Sequence, residues 1–253
     1  MESITRRRFL GWGAAGAAMA WAGGSLASRL WAADGGTARF KARPGKPTKP
    51  AKIGLHELGL AKGKDGVLSV PPGYTPGKPV PLIFMLHGAL GRYDTYNEIC
   101  KIAAQDGIAM VTPDARNQTW DLIRGGFGPD IEFLERALAY TFDHVAIDPR
   151  RIGLAGFSDG ASYALSVGLA NGDLFSHVMA FSPGFMAPPS RTGKPKIFVS
   201  HGKQDEILSF AGTRDRILPQ LRSWGYEATF RELPGGHRLD PDVIREAFRW
   251  MIK

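Results

Sequence analysis

From residue 53 onward, short apolar runs alternate with segments of helical period, and this alternation constrains the fold more than any other feature. The runs are bounded by Gly, Pro or Asp and suit strands buried on both faces of a parallel sheet. They occupy residues 81–86, 107–111, 151–155, 178–181, 196–200 and 227–233. Helix-period segments occupy residues 95–105, 130–142, 159–170, 210–224 and 241–252. We predict an α/β fold with a doubly wound, mostly parallel sheet and helices on both faces, preceded by two antiparallel strands at 56–60 and 66–70.

The segment Gly-Phe-Ser-Asp-Gly at residues 156–160 joins the predicted strand 151–155 to the predicted helix 159–170. A serine on such a tight strand-to-helix turn projects its hydroxyl above the sheet, and the flanking glycines avoid clashes with the neighbouring strand and helix. Ser158 is therefore the candidate nucleophile. The alternative is a glycine-rich helix start in which Ser158 only caps the helix.

A serine nucleophile needs a general base and an acid that orients the base. Asp205 follows the predicted strand 196–200, and His237 follows the predicted strand 227–233. The order Ser, Asp, His matches one known arrangement of such triads. We predict that His237 takes the proton of Ser158, that Asp205 fixes the imidazole, and that a water activated by His237 releases the acyl-enzyme.

Other residues compete for the roles of acid and base. Glu206 or Asp215 could replace Asp205 as the acid, although the His-Gly-x-x-Asp pattern at 201–205 favours Asp205. His201 could serve as the base, but it ends a strand, and we expect it to pack structurally. The remaining histidines outside these motifs are interpreted as structural or surface residues: His56, His144 and His177.

A His-Gly turn follows the predicted strand 81–86, at the place where one oxyanion-hole donor usually lies. The backbone N–H of Ala89, or alternatively that of Leu90, would supply this donor. The second donor would be the N–H of Asp159, directly after the nucleophile. His87 is expected to support the loop.

The connection between the predicted strands 178–181 and 196–200 is too short to form a large lid. We therefore expect an open, shallow site. Leu90, Trp120, Phe185 and Met186 are candidates to line the acyl pocket, but aromatic and Met side chains are more often part of the core.

The N-terminus predicts export. Residues 5–10 match the twin-arginine pattern Ser/Thr-Arg-Arg-x-Phe-Leu, and an uncharged stretch follows at 11–27. Ala27 and Ala33 are two candidate cleavage sites, and retention of the leader as an anchor is a third possibility. We divide the chain into a signal peptide at 1–33, a basic, Pro-rich linker at 34–52 and one domain at 53–253, with a periplasmic or secreted location. The expected partner is the twin-arginine export machinery, with no stable membrane span after cleavage.

The net charge of +8 lies in the leader and the linker, since residues 53–253 carry 22 basic and 22 acidic residues. A nucleic-acid binder concentrates positive charge on its folded surface, so we expect no nucleic-acid partner. Cys100 is the single cysteine and cannot form an intrachain disulfide. We expect it to be a buried helix residue.

The motifs at 86–88, 151–160, 201–205 and 235–237 resemble the phospholipase/carboxylesterase family of the α/β-hydrolase superfamily, its esterase and thioesterase branch. Residues 130–151 also resemble polyhydroxyalkanoate depolymerases and feruloyl esterases. The resemblance implies the α/β-hydrolase fold and hydrolysis of carboxylic esters or thioesters with no metal and no organic cofactor. The sequence departs from the thioesterase pattern at Asp159, where Gln is frequent.

Together these features predict an exported serine hydrolase that cleaves carboxylic esters with short or medium acyl chains, whether small-molecule or surface-presented. A serine peptidase or an acyltransferase would use the same three residues. A non-catalytic binding protein of the same fold is the alternative from another class.

Overall fold

The structure is a computed structural model that describes residues 38–253. The predicted signal peptide, residues 1–33, lies outside the described residues. Between residues 38 and 253, no helix is both long and apolar enough to cross a membrane.

In the described part of the chain, eight strands form one sheet in the order β1-β2-β4-β3-β5-β6-β7-β8. β1 and β2 pair antiparallel, as do β2 and β4, whereas all pairs from β4 through β8 are parallel. The strands are β1 Gly54–Glu57, β2 Gly66–Val70, β3 Val80–Leu86, β4 Ala109–Pro113, β5 Ile147–Phe157, β6 His177–Phe181, β7 Lys196–Gly202 and β8 Ala228–Leu233. This sheet confirms the predicted fold class.

Within residues 38–253, five helices cover the sheet. They are α1 Asn97–Gln105, α2 Pro129–His144, α3 Asp159–Ala170, a composite α4 and α5 Pro241–Ile252. α4 consists of Phe210–Gly212, a π-helical turn Thr213–Ile217 and Leu218–Ser223. Short 3-10 helices occupy Tyr93–Tyr96 and Asp121–Arg124.

Helices lie on both faces because consecutive strand residues point in opposite directions. In β3, Ile83 and Met85 pack with α1 and α5. Leu82 and Phe84, from the same strand, pack on the other face with α2 and α3. Between β6 and β7, residues 182–195 contain no helix, in agreement with the prediction that a large lid is absent.

The predicted strand 56–60 differs from the observed strand, which ends at Glu57. The reason is the buried carboxylate of Asp65, which accepts hydrogen bonds from the N–H groups of Gly59 at 2.6 Å and Leu60 at 3.0 Å. These bonds turn the chain before it can continue along the sheet.

Residues 38–52 differ from the expected linker. They contain no helix or strand, but Ala38 and Phe40 are buried, and the Phe40 ring packs edge-to-face on Phe175 at 6.0 Å. The Asn171 amide accepts from the Phe40 N–H at 2.8 Å and donates to the Ala38 carbonyl at 2.6 Å. Arg39 pairs with Asp173 at 2.7 Å. The packed domain therefore includes described residues ahead of the predicted boundary at residue 53.

Candidate active site

Ser158 lies on a strained turn between β5 and α3. Its backbone has φ 58° and ψ −119°, a sparsely populated region for a residue with a side chain. Its N–H donates to the Phe181 carbonyl of the neighbouring strand β6 at 2.9 Å. The turn is thereby fixed at the carboxyl edge of the sheet, where loops of such folds usually carry reactive groups.

Glycines on both sides of Ser158 allow this turn. A Cβ on Gly156 would lie 2.2 Å from the Gly160 carbonyl oxygen, and a Cβ on Gly160 would lie 2.3 Å from the Leu86 carbonyl oxygen. Both contacts involve backbone atoms that cannot rotate away. Only glycine fits at the two positions, as the sequence pattern predicted.

The structure brings Ser158, His237 and Asp205 together in one hydrogen-bonded chain. His237 Nε2 lies 2.8 Å from Ser158 Oγ, and His237 Nδ1 lies 2.7 Å from Asp205 Oδ2. The three residues follow β5, β8 and β7, so they meet because the carboxyl ends of parallel strands share one edge. The Phe157 ring packs on the His237 imidazole with ring centroids 4.8 Å apart.

The Asp205 carboxylate is built to stay ionised. Its side chain is fully buried, which opposes ionisation, but Oδ1 accepts from the N–H groups of Leu208 at 2.8 Å and Ile207 at 2.9 Å. Together with the bond from His237, these donors hold the pKa of Asp205 below its ordinary value. An ionised carboxylate only accepts, so His237 carries its proton on Nδ1 and leaves Nε2 free to accept from Ser158.

The two alternative acids are not hydrogen-bonded to His237. The exposed Asp215 pairs with Arg214 at 2.7 Å. Glu206 is exposed on the loop and approaches Gly236, where a Cβ would lie 2.9 Å from its Oε2. The geometry therefore favours Asp205 as the partner of the imidazole.

The other histidines occupy different surroundings. His201 is fully buried and contacts Thr213, Leu208 and Asp205. His144 stacks on Tyr140, and His177 bonds to Ser176. His56 is bonded through Nδ1 to the Gly54 carbonyl.

The loop after β3 lies directly against the serine turn. A Cβ on Gly88 would be 3.2 Å from Ser158 Cβ. The Leu90 N–H donates to the Gln118 carbonyl at 2.7 Å, which leaves Ala89 as the candidate donor in this loop. Across residues 38–253, the N–H groups of Ala89 and Asp159 have no hydrogen-bond acceptor. Asp159 opens α3, where the first N–H groups have no partner within the helix.

His87 supports this loop, as the sequence suggested. The Ala115 N–H donates to its Nε2 at 2.9 Å, so the ring proton lies on Nδ1, which donates to the Gly88 carbonyl at 2.7 Å. Burial lowers the pKa of His87, which is consistent with a neutral ring.

The prediction that Trp120 lines a substrate pocket is wrong. Its side chain is fully buried between His87, at a ring distance of 4.9 Å, and Tyr163, at 5.2 Å. The indole N–H donates to the His87 carbonyl at 2.8 Å. Trp120 is therefore a core residue that supports the loop after β3.

The other pocket candidates separate into two places. Leu90 is 74% exposed beside the loop after β3. Phe185 and Met186 line a cavity of about 510 Å³ together with Ile217 and Pro219, and its lining contains none of Ser158, Asp205 and His237.

In the loop between β4 and α2, sequence reasoning named Trp120 but missed Thr119 and Asp121. The Thr119 hydroxyl donates to Asp159 Oδ2 at 2.6 Å, beside the nucleophile. Asp121 accepts from the Tyr163 hydroxyl of α3 at 2.8 Å and from the N–H groups of Gly128 and Asp130. The signal was available, because this loop also follows the carboxyl end of a parallel strand.

Comparison with known proteins gives a consistent result. The model of the Phospholipase/Carboxylesterase family matches residues 108–251. Feruloyl esterase C of Emericella nidulans is 27% identical over 161 residues, which is 59% of this chain and 58% of that protein. Acyl-protein thioesterase 1 of Aspergillus fumigatus is 29% identical over 42% of this chain and 48% of its own length. The chain thus spans less than two thirds of these curated relatives.

Solved structures show the same fold. A ferulic acid esterase from Anaeromyces mucronatus, solved with ferulic acid, superposes with a TM-score of 0.62 at 17% identity, covering 84% of this chain and 96% of that one. The fluorophosphonate-binding serine hydrolase F of Staphylococcus aureus superposes with a TM-score of 0.63 at 18% identity, covering 81% of this chain and 99% of that one.

Proposed function

The chain belongs to the phospholipase/carboxylesterase family, and from that premise we propose that it hydrolyses carboxylic esters through Ser158, His237 and Asp205. The prediction of a carboxylic ester hydrolase agrees with this family. The single observation that carries the proposal is the hydrogen-bonded chain from Ser158 Oγ through His237 to Asp205, with its two links of 2.8 Å and 2.7 Å.

In the first half of the proposed reaction, His237 Nε2 takes the proton of Ser158 as Oγ attacks the ester carbonyl carbon. The carbonyl oxygen becomes negative and accepts hydrogen bonds from the N–H groups of Ala89 and Asp159. The intermediate collapses with loss of the alcohol, which receives the proton held by His237. Ser158 then carries the acyl group.

In the second half, His237 takes a proton from water, and the hydroxide attacks the acyl-enzyme at the same carbonyl carbon. Collapse releases the carboxylic acid, and the proton returns from His237 to Ser158 Oγ. Asp205 stays ionised throughout and stabilises the imidazolium that forms in each half.

We propose esters with short or medium acyl chains as substrates. Support comes from the connection between β6 and β7, which carries no lid helix, and from Leu90, which is exposed beside the loop after β3. An open edge of this kind would also admit esters presented on a surface. The names of the curated relatives add feruloyl esters to the candidates.

The test is turnover by purified protein of p-nitrophenyl acetate, p-nitrophenyl butyrate, methyl ferulate and a peptide p-nitroanilide. We expect hydrolysis of the esters and none of the anilide, since an amine leaves less readily than an alcohol. Faster cleavage of the anilide would identify a peptidase. Transfer of the acyl group to an added alcohol in preference to water would identify an acyltransferase, and binding without turnover would identify a non-catalytic protein.

We also propose export by the twin-arginine machinery, with a periplasmic or secreted location, supported by the pattern at residues 5–10. Replacing both Arg6 and Arg7 by Lys should leave precursor in the cytoplasm of a bacterial host, measured by fractionation and immunoblotting. Arg8→Lys is the matched control, because that position of the pattern accepts any residue. Normal export of the Arg6→Lys, Arg7→Lys variant would contradict the proposal.

A further inference from the structure

His201 contacts the carboxylate of Asp205, although no step of the proposed reaction uses His201. The ring is fully buried near the end of β7. Its Nδ1 lies 2.9 Å from Thr213 Oγ1, and its Nε2 lies 3.0 Å from the Leu208 carbonyl and 3.1 Å from Asp205 Oδ2. The same Oδ2 is 2.7 Å from His237 Nδ1. One carboxylate oxygen is thus shared by two imidazoles.

The neighbours of His201 determine which nitrogen carries its proton. Burial lowers the pKa of His201, with a partial offset from Leu208 and Asp205, so the ring is neutral near pH 7 and has one N–H. Nε2 faces only acceptors, the Leu208 carbonyl and the ionised Asp205 carboxylate, so the proton lies on Nε2 and is shared between these two oxygens. The Thr213 hydroxyl donates to the Pro183 carbonyl at 3.1 Å and lies 2.9 Å from Nδ1, so its one hydrogen is shared between these two acceptors.

We propose that His201 is a positioning residue, whose Nε2–H fixes the Asp205 carboxylate against His237 and withdraws part of its negative charge from that imidazole. A donor to a carboxylate stabilises the anion and weakens its attraction for a second cation or donor. Without His201, Asp205 would favour the imidazolium form of His237 more strongly, and its carboxylate would be held less firmly. This inference rests on the proposed function, because it assigns a role to a fourth side chain of that reaction.

Other charged groups around this cluster are shared by wild type and variants. They lie on the loop after β7, on β8 and its following loop, on α4 and beside the serine: Lys203, Glu206, Glu232, Arg238, Asp240, Arg214, Asp215, Arg216 and Asp159. Several pair with one another, for example Lys203 with Glu232 at 2.8 Å and Arg214 with Asp215 at 2.7 Å. A shift seen only in His201 variants is therefore attributable to His201.

The test compares two amides at position 201, measured by the pH dependence of kcat/KM for p-nitrophenyl butyrate. The side-chain amide of His201→Gln reaches the place of Nε2 and keeps a donor toward Asp205, whereas that of His201→Asn reaches only the place of Nδ1. For His201→Asn we expect kcat/KM to fall about five- to tenfold, as for one lost hydrogen bond. In the plot of its kcat/KM against pH, the midpoint of the acidic limb should rise by about half a pH unit. The midpoint for His201→Gln should stay near that of the wild type.

Thr213→Val is the matched control with an almost unchanged shape. It removes the hydroxyl beside Nδ1, but Nε2 still faces the Leu208 carbonyl and Asp205 and so keeps its proton. We expect the acidic limb of its pH profile to stay at the wild-type midpoint, and an upward shift equal to that of His201→Asn would count against a role of the Nε2–H. If His201→Asn does not fold, the nitrogen chemical shifts of His201 in the wild-type protein decide, because a ring proton on Nδ1 would overturn the inference.

A pH profile of His201→Asn whose acidic limb keeps the wild-type midpoint would overturn the inference, even if this variant melts earlier, because a purely structural role changes stability only. Ser158→Ala separates this failure from failure of the proposed function. An active Ser158→Ala variant rejects the reaction itself, whereas an inactive one combined with unshifted limbs rejects only the role of His201.

Discussion

Replacing Ser158 by alanine should lower kcat/KM for p-nitrophenyl butyrate by about 10⁴- to 10⁶-fold, as for nucleophile removal in other serine hydrolases. The variant loses the only hydroxyl bonded to His237 Nε2, at 2.8 Å, and no other described residue presents a nucleophile to that nitrogen. Alanine keeps the Cβ of serine, so the turn meets no new clash and the protein should remain folded.

Two measurements check this result. The circular dichroism melt of Ser158→Ala should match the wild type, and a fluorophosphonate probe that labels wild-type Ser158 should label neither Ser158→Ala nor His237→Ala. Ser69→Ala is the matched control, because Ser69 is also buried but lies on β2. Wild-type activity in folded Ser158→Ala would remove the basis for the mechanism.

Replacing Asp205 by asparagine should cost about 10³- to 10⁴-fold in kcat, because the side chain would hold His237 in the wrong tautomer. The N–H groups of Ile207 and Leu208 donate to Oδ1, so the amide oxygen of Asn must take that place. The amide nitrogen then replaces Oδ2 and faces His237 Nδ1 as a donor. His237 would carry its proton on Nε2, where it can no longer accept from Ser158.

Steady-state kinetics of Asp205→Asn beside Glu206→Gln and Asp215→Asn would check the assignment of the acid. The last two variants should keep most of the activity, since neither carboxylate bonds to His237. A larger loss in Glu206→Gln than in Asp205→Asn would show that the loop rearranges and that Glu206 is the acid.

The parallel sheet was predictable because its strands are buried on both faces and therefore read as continuous apolar runs. The carboxyl ends of parallel strands share one edge of the sheet. The order of the strands along the chain was therefore enough to predict that Ser158, Asp205 and His237 lie close together. The glycines at 156 and 160 could also be interpreted from the sequence, because the requirement for a residue without a side chain arises within the turn itself.

The errors involve contacts between residues far apart in the sequence. Phe40 lies in a segment whose Pro and Lys content suggests solvation, and only the distant Asn171 and Phe175 explain its burial. Trp120 lies in a polar loop, and its place in the core depends on Tyr163 of α3. The sharing of Asp205 by two histidines depends on a loop geometry that residue spacing does not specify.

Asn171 and Asp173 follow the end of the helix that begins beside Ser158, and their contacts with residues 38–40 place Ala38 at the edge of the sheet opposite the serine. α3 has 12 residues and so spans about 18 Å. A purification tag, a spacer or a solid support joined directly to Ala38 would therefore attach at the edge of the sheet opposite the serine. Such an immobilised molecule would direct its serine outward, so that insoluble or bulky esters could still reach it.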